Sequence, residues 1–174
     1  EWLKKMKDAY VKLAPFFNTA RMVQEYTNDY YMPVYERSHK LVTPDLAQGI
    51  AYAAWRSQLN GLWQQVEITD VKVSSETVSV DTPVTVQAQV RLGALTPNDV
   101  LVQLYYSPMG SNGELSEAGQ AVPMQLVSGE NGDYTFTGSV ATESSGDLGL
   151  SVRVLPSNPN LSSPFEPRLI CWAV

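Results

Sequence analysis

Val84-Thr85-Val86-Gln87-Ala88-Gln89-Val90-Arg91-Leu92 alternates an apolar with a polar side chain at every step. Successive side chains of a strand point to opposite faces, so this stretch predicts a strand with one buried and one wet face. The pattern spreads outward from here. Val100, Val102, Leu104 and Tyr106 repeat it, then Val122, Met124 and Leu126, then Tyr134, Phe136, Gly138 and Val140, then Leu148, Leu150, Val152 and Val154. With Glu67–Val73 before them and the run Leu169–Val174 after, about seven short strands are expected. Turn-forming residues separate them: Thr96-Pro97-Asn98-Asp99, Gly110-Ser111-Asn112-Gly113, Asn131-Gly132 and Ser145-Gly146-Asp147. Asn131-Gly132 is the strongest hairpin signal, because a two-residue type I′ turn needs φ > 0 at both positions. About seven antiparallel strands over residues 66–174 predict an immunoglobulin-like β-sandwich. Cys171 is the only cysteine, so the disulfide of antibody domains is absent.

Before Val66 the period changes to three and four, which predicts about three helices over residues 1–65. Trp2, Met6, Ala9, Tyr10, Leu13 and Phe17 share a face of the first helix, over about residues 1–13. It begins without an N-capping side chain, which leads us to expect that the chain is the C-terminal piece of a longer polypeptide. Ala14-Pro15 ends it. Asn18 is the N-cap expected for helix two, which carries Met22, Val23, Tyr26 and Tyr30 and should kink or end at Pro33. Helix three should open with Thr43 as N-cap and Pro44 in its first turn, and run to about Gln65.

Charge and rings are unevenly distributed. Residues 1–65 hold eight Lys/Arg and six Asp/Glu, and residues 66–174 hold four and twelve. The acidic second half disfavours nucleic acid and anionic membranes as partners, and leaves neutral glycans open. Eleven of the seventeen aromatic residues lie in residues 1–65, from Trp2 to Trp63. Three helices rarely need so many large rings, so these faces are expected to pack on a further body or to self-associate. The competing expectation is that they pack on each other and on the sandwich. No run of about 18 apolar residues and no secretory signal is present, which fits a cytoplasmic protein.

Chemistry-bearing residues are few. His39 is the only histidine, it lies between Arg37 and Lys40, and it reads as solvated rather than as a base or ligand. Cys171 lies in a strand and reads as a small core residue. No catalytic, cofactor-binding or metal-ligating residue is assigned. Sugar binding needs exposed rings, for which Tyr105, Tyr106, Phe165 and Trp172 are the candidates. Tyr106 shares the phase of the inward residues, so Tyr105 faces out. Tyr105 and Trp172 are therefore the candidate sugar contacts, against the commoner alternatives of a surface cross-strand residue for Tyr105 and of interdomain packing for Trp172.

Trp2-x3-Met6-Lys7, Leu13-x-Pro15-x-Phe17-Asn18-Thr19-x-Arg21-Met22-Val23-x-Glu25-Tyr26 and Tyr30-Tyr31-Met32-Pro33 resemble the C-terminal end of bacterial α-glucan phosphorylases, in the glycogen/starch phosphorylase branch with an extra C-terminal domain. Leu92-Gly93-x-Leu95-x-Pro97-x-Asp99-Val100, Val152–Pro156 and Leu169-Ile170-x-Trp172-Ala173 look like that extra domain. The resemblance implies a parent of the two-lobed glycosyltransferase-B type. Such an enzyme uses pyridoxal phosphate on a lysine to phosphorolyse α-1,4-glucan to glucose 1-phosphate. The family's Gly-Thr-Ser-Asn-Met-Lys-like cofactor stretch has no counterpart here, since Lys4-Lys5 precede Met6-Lys7. The chain itself is thus expected to be an accessory, non-catalytic part without cofactor, with the rest of the catalytic body, and α-glucan, as its partners. The alternative is a free-standing glycan-binding or adhesion module on a helical stalk.

Overall fold

The computed structural model describes residues 1–42, 44–75, 77–109, 119–141 and 146–173. The chain divides into two compact units, Glu1–Ala53 and Ala54–Val174.

The first unit is helical. Helix α1 (Trp2–Leu13) stops two residues ahead of Pro15, which has no N–H to continue the ladder. Asn18 caps α2 (Thr19–Tyr26) as expected: its Oδ1 accepts the Arg21 N–H at 2.7 Å. The Arg21 guanidinium pairs with Glu25 at 2.7 Å and lies over the Phe16 ring. Helix two was expected to kink or end at Pro33; the regular α-helix ends earlier, at Tyr26, and Pro33 falls in the first turn of the next one. A π-helical turn (Thr27–Tyr31) joins α2 without a gap to α3 (Met32–Val42), with the Met32 N–H bonded to Thr27 O five residues back. This widened turn takes up the missing Pro33 donor that would otherwise break a regular helix.

The third helix also starts later than expected. The proposed cap Thr43 lies outside the described residues. Asp45 and Leu46 have left-handed φ of 50° and 59°, which no right-handed helix admits, so α4 spans Ala47–Leu62. Among the described residues three helical stretches precede the strands, and a short 3₁₀ turn (Trp63–Gln65) ends the last. None of the described residues 1–53 is buried.

The second unit takes in the last part of α4 and two antiparallel sheets. One has the order β1 (Glu67–Val73), β2 (Pro83–Arg91), β6 (Asp133–Ala141), β5 (Gln125–Glu130). The other has the order β4 (Gln120–Pro123), β3 (Val100–Pro108), β7 (Leu148–Pro156), β8 (Cys171–Trp172). Alternation holds as read: Val84, Val86, Ala88 and Val90 are buried while Thr85, Gln87 and Gln89 are exposed. Their faces join Val102, Leu104, Phe136, Val152 and Val154 in one core. Leu59 and Trp63 enter the same core from α4 and the 3₁₀ turn.

Among the described residues there are eight strands rather than about seven. The stretch Val122–Leu126, expected as one strand, changes sheet at Met124. That residue is buried and donates its N–H to Val102 O at 2.8 Å, which leaves β4 and β5 in different sheets. The last strand is shorter than Leu169–Val174, only Cys171–Trp172, with Ala173 adding one bond to Val152. The Asn131-Gly132 hairpin stands as expected, with φ of 56° and 92°. Gly110–Gly113 and Ser145 lie outside the described residues.

Candidate functional site

Burial of Val102 and Leu104 on β3 forces Gln103 and Tyr105 to the outer face of their sheet, and burial of Val152 and Val154 on β7 does the same for Arg153. Register then sets the neighbours. Arg153 pairs with Gln103 on one side and Trp172 on the other. The connection from β7 to β8 is laced by its own side chains, since the Ser162 N–H and Oγ both donate to Glu166 Oε2 at 2.9 and 2.8 Å. Glu166 also pairs with Arg56 at 3.7 Å, and the Phe165 N–H donates to Ser163 Oγ. This loop sets Phe165 beside Arg153.

Four elements thus converge on one guanidinium. Its carbon lies 5.2 Å from the Tyr105 ring centroid, 5.3 Å from Phe165 and 5.4 Å from Trp172. Tyr105 and Trp172 meet edge to face at 5.5 Å. Arg153 Nε donates to Gln103 Oε1 at 2.8 Å, and the Tyr105 hydroxyl accepts the Gly119 N–H at 3.1 Å. Burial among the rings draws the Arg153 pKa down, and interaction with Tyr105 opposes it. Arginine nevertheless stays charged in proteins. Among the described residues, no carboxylate forms a salt bridge with Arg153. Phe165 is 52% exposed and Trp172 39%, so both rings are reached from solvent.

The structure therefore brings together Tyr105, Trp172 and Phe165, three of the four rings singled out in the sequence. Tyr106 lies on the other side as expected, packed against the core with its hydroxyl 2.8 Å from Gln120 Oε1. Arg153 and Gln103 are the members that aromatic counting missed. Their signal was the phase of alternation, which puts both on the same face as Tyr105.

The other candidates stay apart. His39 stacks on Tyr35 at 5.9 Å and is exposed. Cys171 packs against the core, and burial pushes its thiol pKa up, which disfavours the reactive thiolate. Among the described residues no group of three or more His, Cys, Asp or Glu could hold a metal. All six lysines are exposed, and Lys72 pairs with Asp70 at 3.2 Å. A groove of about 440 Å³ between β1 and β7 is lined by Ile68–Val71, Leu150–Val152 and Ala173. Asp70 is its single titratable residue, so it offers no acid–base pair. Among the described residues, no helix is long and apolar enough to cross a membrane.

Comparison with known proteins finds matches to the second unit and to the chain as a whole. The family described as "Glycogen phosphorylase C-terminal domain" matches residues 63–174. The glycogen phosphorylase of Mycobacterium bovis is 27% identical over 174 residues, covering 99% of this chain and 20% of that protein. The glycogen phosphorylase of Mycobacterium tuberculosis is 26% identical with the same coverage. The maltodextrin phosphorylase of Thermococcus litoralis is 27% identical over 179 residues, covering 98% and 20%. The chain thus spans about one fifth of the length of these relatives. Among solved structures, the Pseudomonas fluorescens alkylpurine DNA glycosylase AlkC bound to abasic-site DNA superposes with a TM-score of 0.41 and 16% identity, over 79% of this chain and 43% of that one. A likeness that loose marks no common fold. With the match running from Trp63 through the whole sandwich, the chain belongs to the glycogen phosphorylase C-terminal domain family.

Proposed function

We propose that the chain is the accessory C-terminal part of an α-glucan phosphorylase. The parent would be a cytoplasmic enzyme that uses pyridoxal phosphate to phosphorolyse α-1,4-glucan to glucose 1-phosphate. The observation that carries this reading is the coverage of the matches: nearly all of this chain, against one fifth of each phosphorylase. On this reading the cofactor and the reacting groups belong to the rest of the parent. The helices of the first unit belong to the end of the catalytic body. Their open faces support that role, since Phe17 is 77% and Trp2 and Tyr10 are 73% exposed. Isolated, the same faces would drive self-association.

The domain itself is read as immunoglobulin-like. The order β1-β2-β6-β5 opposite β4-β3-β7-β8 follows the A-B-E-D and C-F-G sheets of that fold, with one strand added beside C. Its role is bracing rather than chemistry.

The reading frame and one assay test the proposal together. A long upstream region with a lysine cofactor motif is expected, and its complete product should release glucose 1-phosphate from maltodextrin and phosphate. Residues 1–174 alone should release none above blank, since the cofactor supplies the chemistry. A secretory signal close upstream of Glu1, or turnover by the isolated chain, would overturn it. The first result would favour the free-standing glycan-binding module.

A further inference from the structure

We propose that the outer face built on Arg153, Tyr105, Phe165 and Trp172 is a binding site for an α-glucan chain. The inference rests on the phosphorylase reading for the choice of glucan, and on geometry for the site. A neutral polysaccharide needs two things from a protein surface: flat apolar rings for its C–H faces, and planar hydrogen-bond groups for its hydroxyls. Both are present within one side-chain length. Phe165 and Trp172 present rings to solvent. Arg153 is fixed in place by Gln103 and by three rings. Because only its Nε is engaged among the described residues, its Nη hydrogens are left for an incoming acceptor.

Charge selects against the obvious competitor. A guanidinium without a carboxylate partner attracts anions as well as hydroxyls. However, residues 66–174 hold twelve Asp/Glu against four Lys/Arg, and Arg91 and Lys72 are already paired. An anionic polymer would meet two available cations, Arg153 and Arg168, on an acidic body and be repelled over most of its length. A neutral chain of sugar rings meets no such penalty. The site also explains why Gly119 lies where it does. A Cβ there would fall 2.3 Å from the Tyr105 hydroxyl end, so the glycine lets the backbone close on that ring and hold it upright.

The test is binding of the complete reading-frame product to glycogen, by affinity electrophoresis, with a β-1,4-glucan and heparin as control polymers. Trp172→Ala and Phe165→Ala are each expected to weaken glycogen binding about tenfold, with Trp172→Phe within about threefold of wild type. Melting temperatures are read alongside; Phe165, on a surface loop, is the variant expected to leave folding intact. Wild-type glycogen affinity in Phe165→Ala overturns the site, as does preferential retention by heparin. A change of oligomeric state in both alanine variants also overturns it, and makes this face a packing surface. Ring-dependent glycogen binding by a product without phosphorolysis keeps the site and sinks the enzyme reading. Active product with ring-independent binding does the reverse.

Discussion

Asp99 does more for the fold than its half-exposed position suggests. Its Oδ1 accepts the Trp55 indole N–H at 2.8 Å, and its Oδ2 accepts from the Thr96 N–H and hydroxyl at 2.9 and 2.7 Å, closing a capping box. Burial pushes the carboxyl pKa up, but the bonds from Thr96 and Trp55 together outweigh it and hold it below the usual carboxylate range. The folded value lies below the unfolded one, so the ionised carboxylate stabilises the native state. That stability is present above the unfolded value of about 4 and is lost as pH falls through the lower folded value. Trp55→Phe removes the donor and keeps only a smaller aromatic ring, and loss of the hydrogen bond should cost about 1 kcal/mol, less than a fully buried charged hydrogen bond because water reaches Asp99. Thermal melts should show that gap at about pH 7 and a smaller one at about pH 3. An equal gap at both would show that Trp55 acts through packing alone. At this level the sequence singled out Tyr105 by the alternation running from Val100, and Trp172 only as a ring at the penultimate position of the last strand. It did not yield Arg153, because nothing local says that a lone outward cation will meet three rings from three elements.

Among the elements, the β5–β6 hairpin is the one whose sequence carries its geometry most completely. Gly132 adopts φ 92°, and a Cβ there would lie 2.7 Å from Gly93 O. Its own carbonyl accepts the Leu92 N–H at 2.7 Å, so the turn is clamped against the end of β2. Gly132→Ala is expected to destabilise by about 2 kcal/mol, from the left-handed backbone and the clash with an immobile backbone oxygen. Gly61→Ala in α4 meets nothing within 4 Å and should instead stabilise by about 0.5 kcal/mol. Urea midpoints moving the same way for both would refute this account. Most strand positions were legible because a buried face repeats every second residue; β5 is the exception, with all its residues exposed and Leu126 at 49%. The sheet change at Met124 was not legible, because Val122, Met124 and Leu126 keep the alternating phase through it. Likewise, Pro33 signals a broken helix, and no local pattern says that a widened turn will join the helical residues on either side of it.

For the molecule as a whole, the line between helices and sandwich matters most. A boundary at Gln65 follows the change of hydrophobic period, whereas the compact unit begins at Ala54. Leu59 is fully buried and Trp63 nearly so in the sandwich core. A chain of residues 54–174 should therefore melt cooperatively. Removing 54–65 as well strips both plugs and the Trp55–Asp99 bond. Each lost core side chain costs about 2–5 kcal/mol, against about 5–15 for a whole domain. Residues 66–174 are thus expected to melt at much lower urea, with equal midpoints for the two pieces as the refuting result. The pairing of the central strands also carries a consequence for time. Strand β2 finds β6, and β3 finds β7, across 40 to 58 positions of chain. Neither pair closes until a long loop has searched space, so the domain must be a slow folder that ripens late in synthesis. Until β7 has emerged, the ribosome carries half-built sheets whose inner faces, rich in valine, are open to whatever chaperone is nearby.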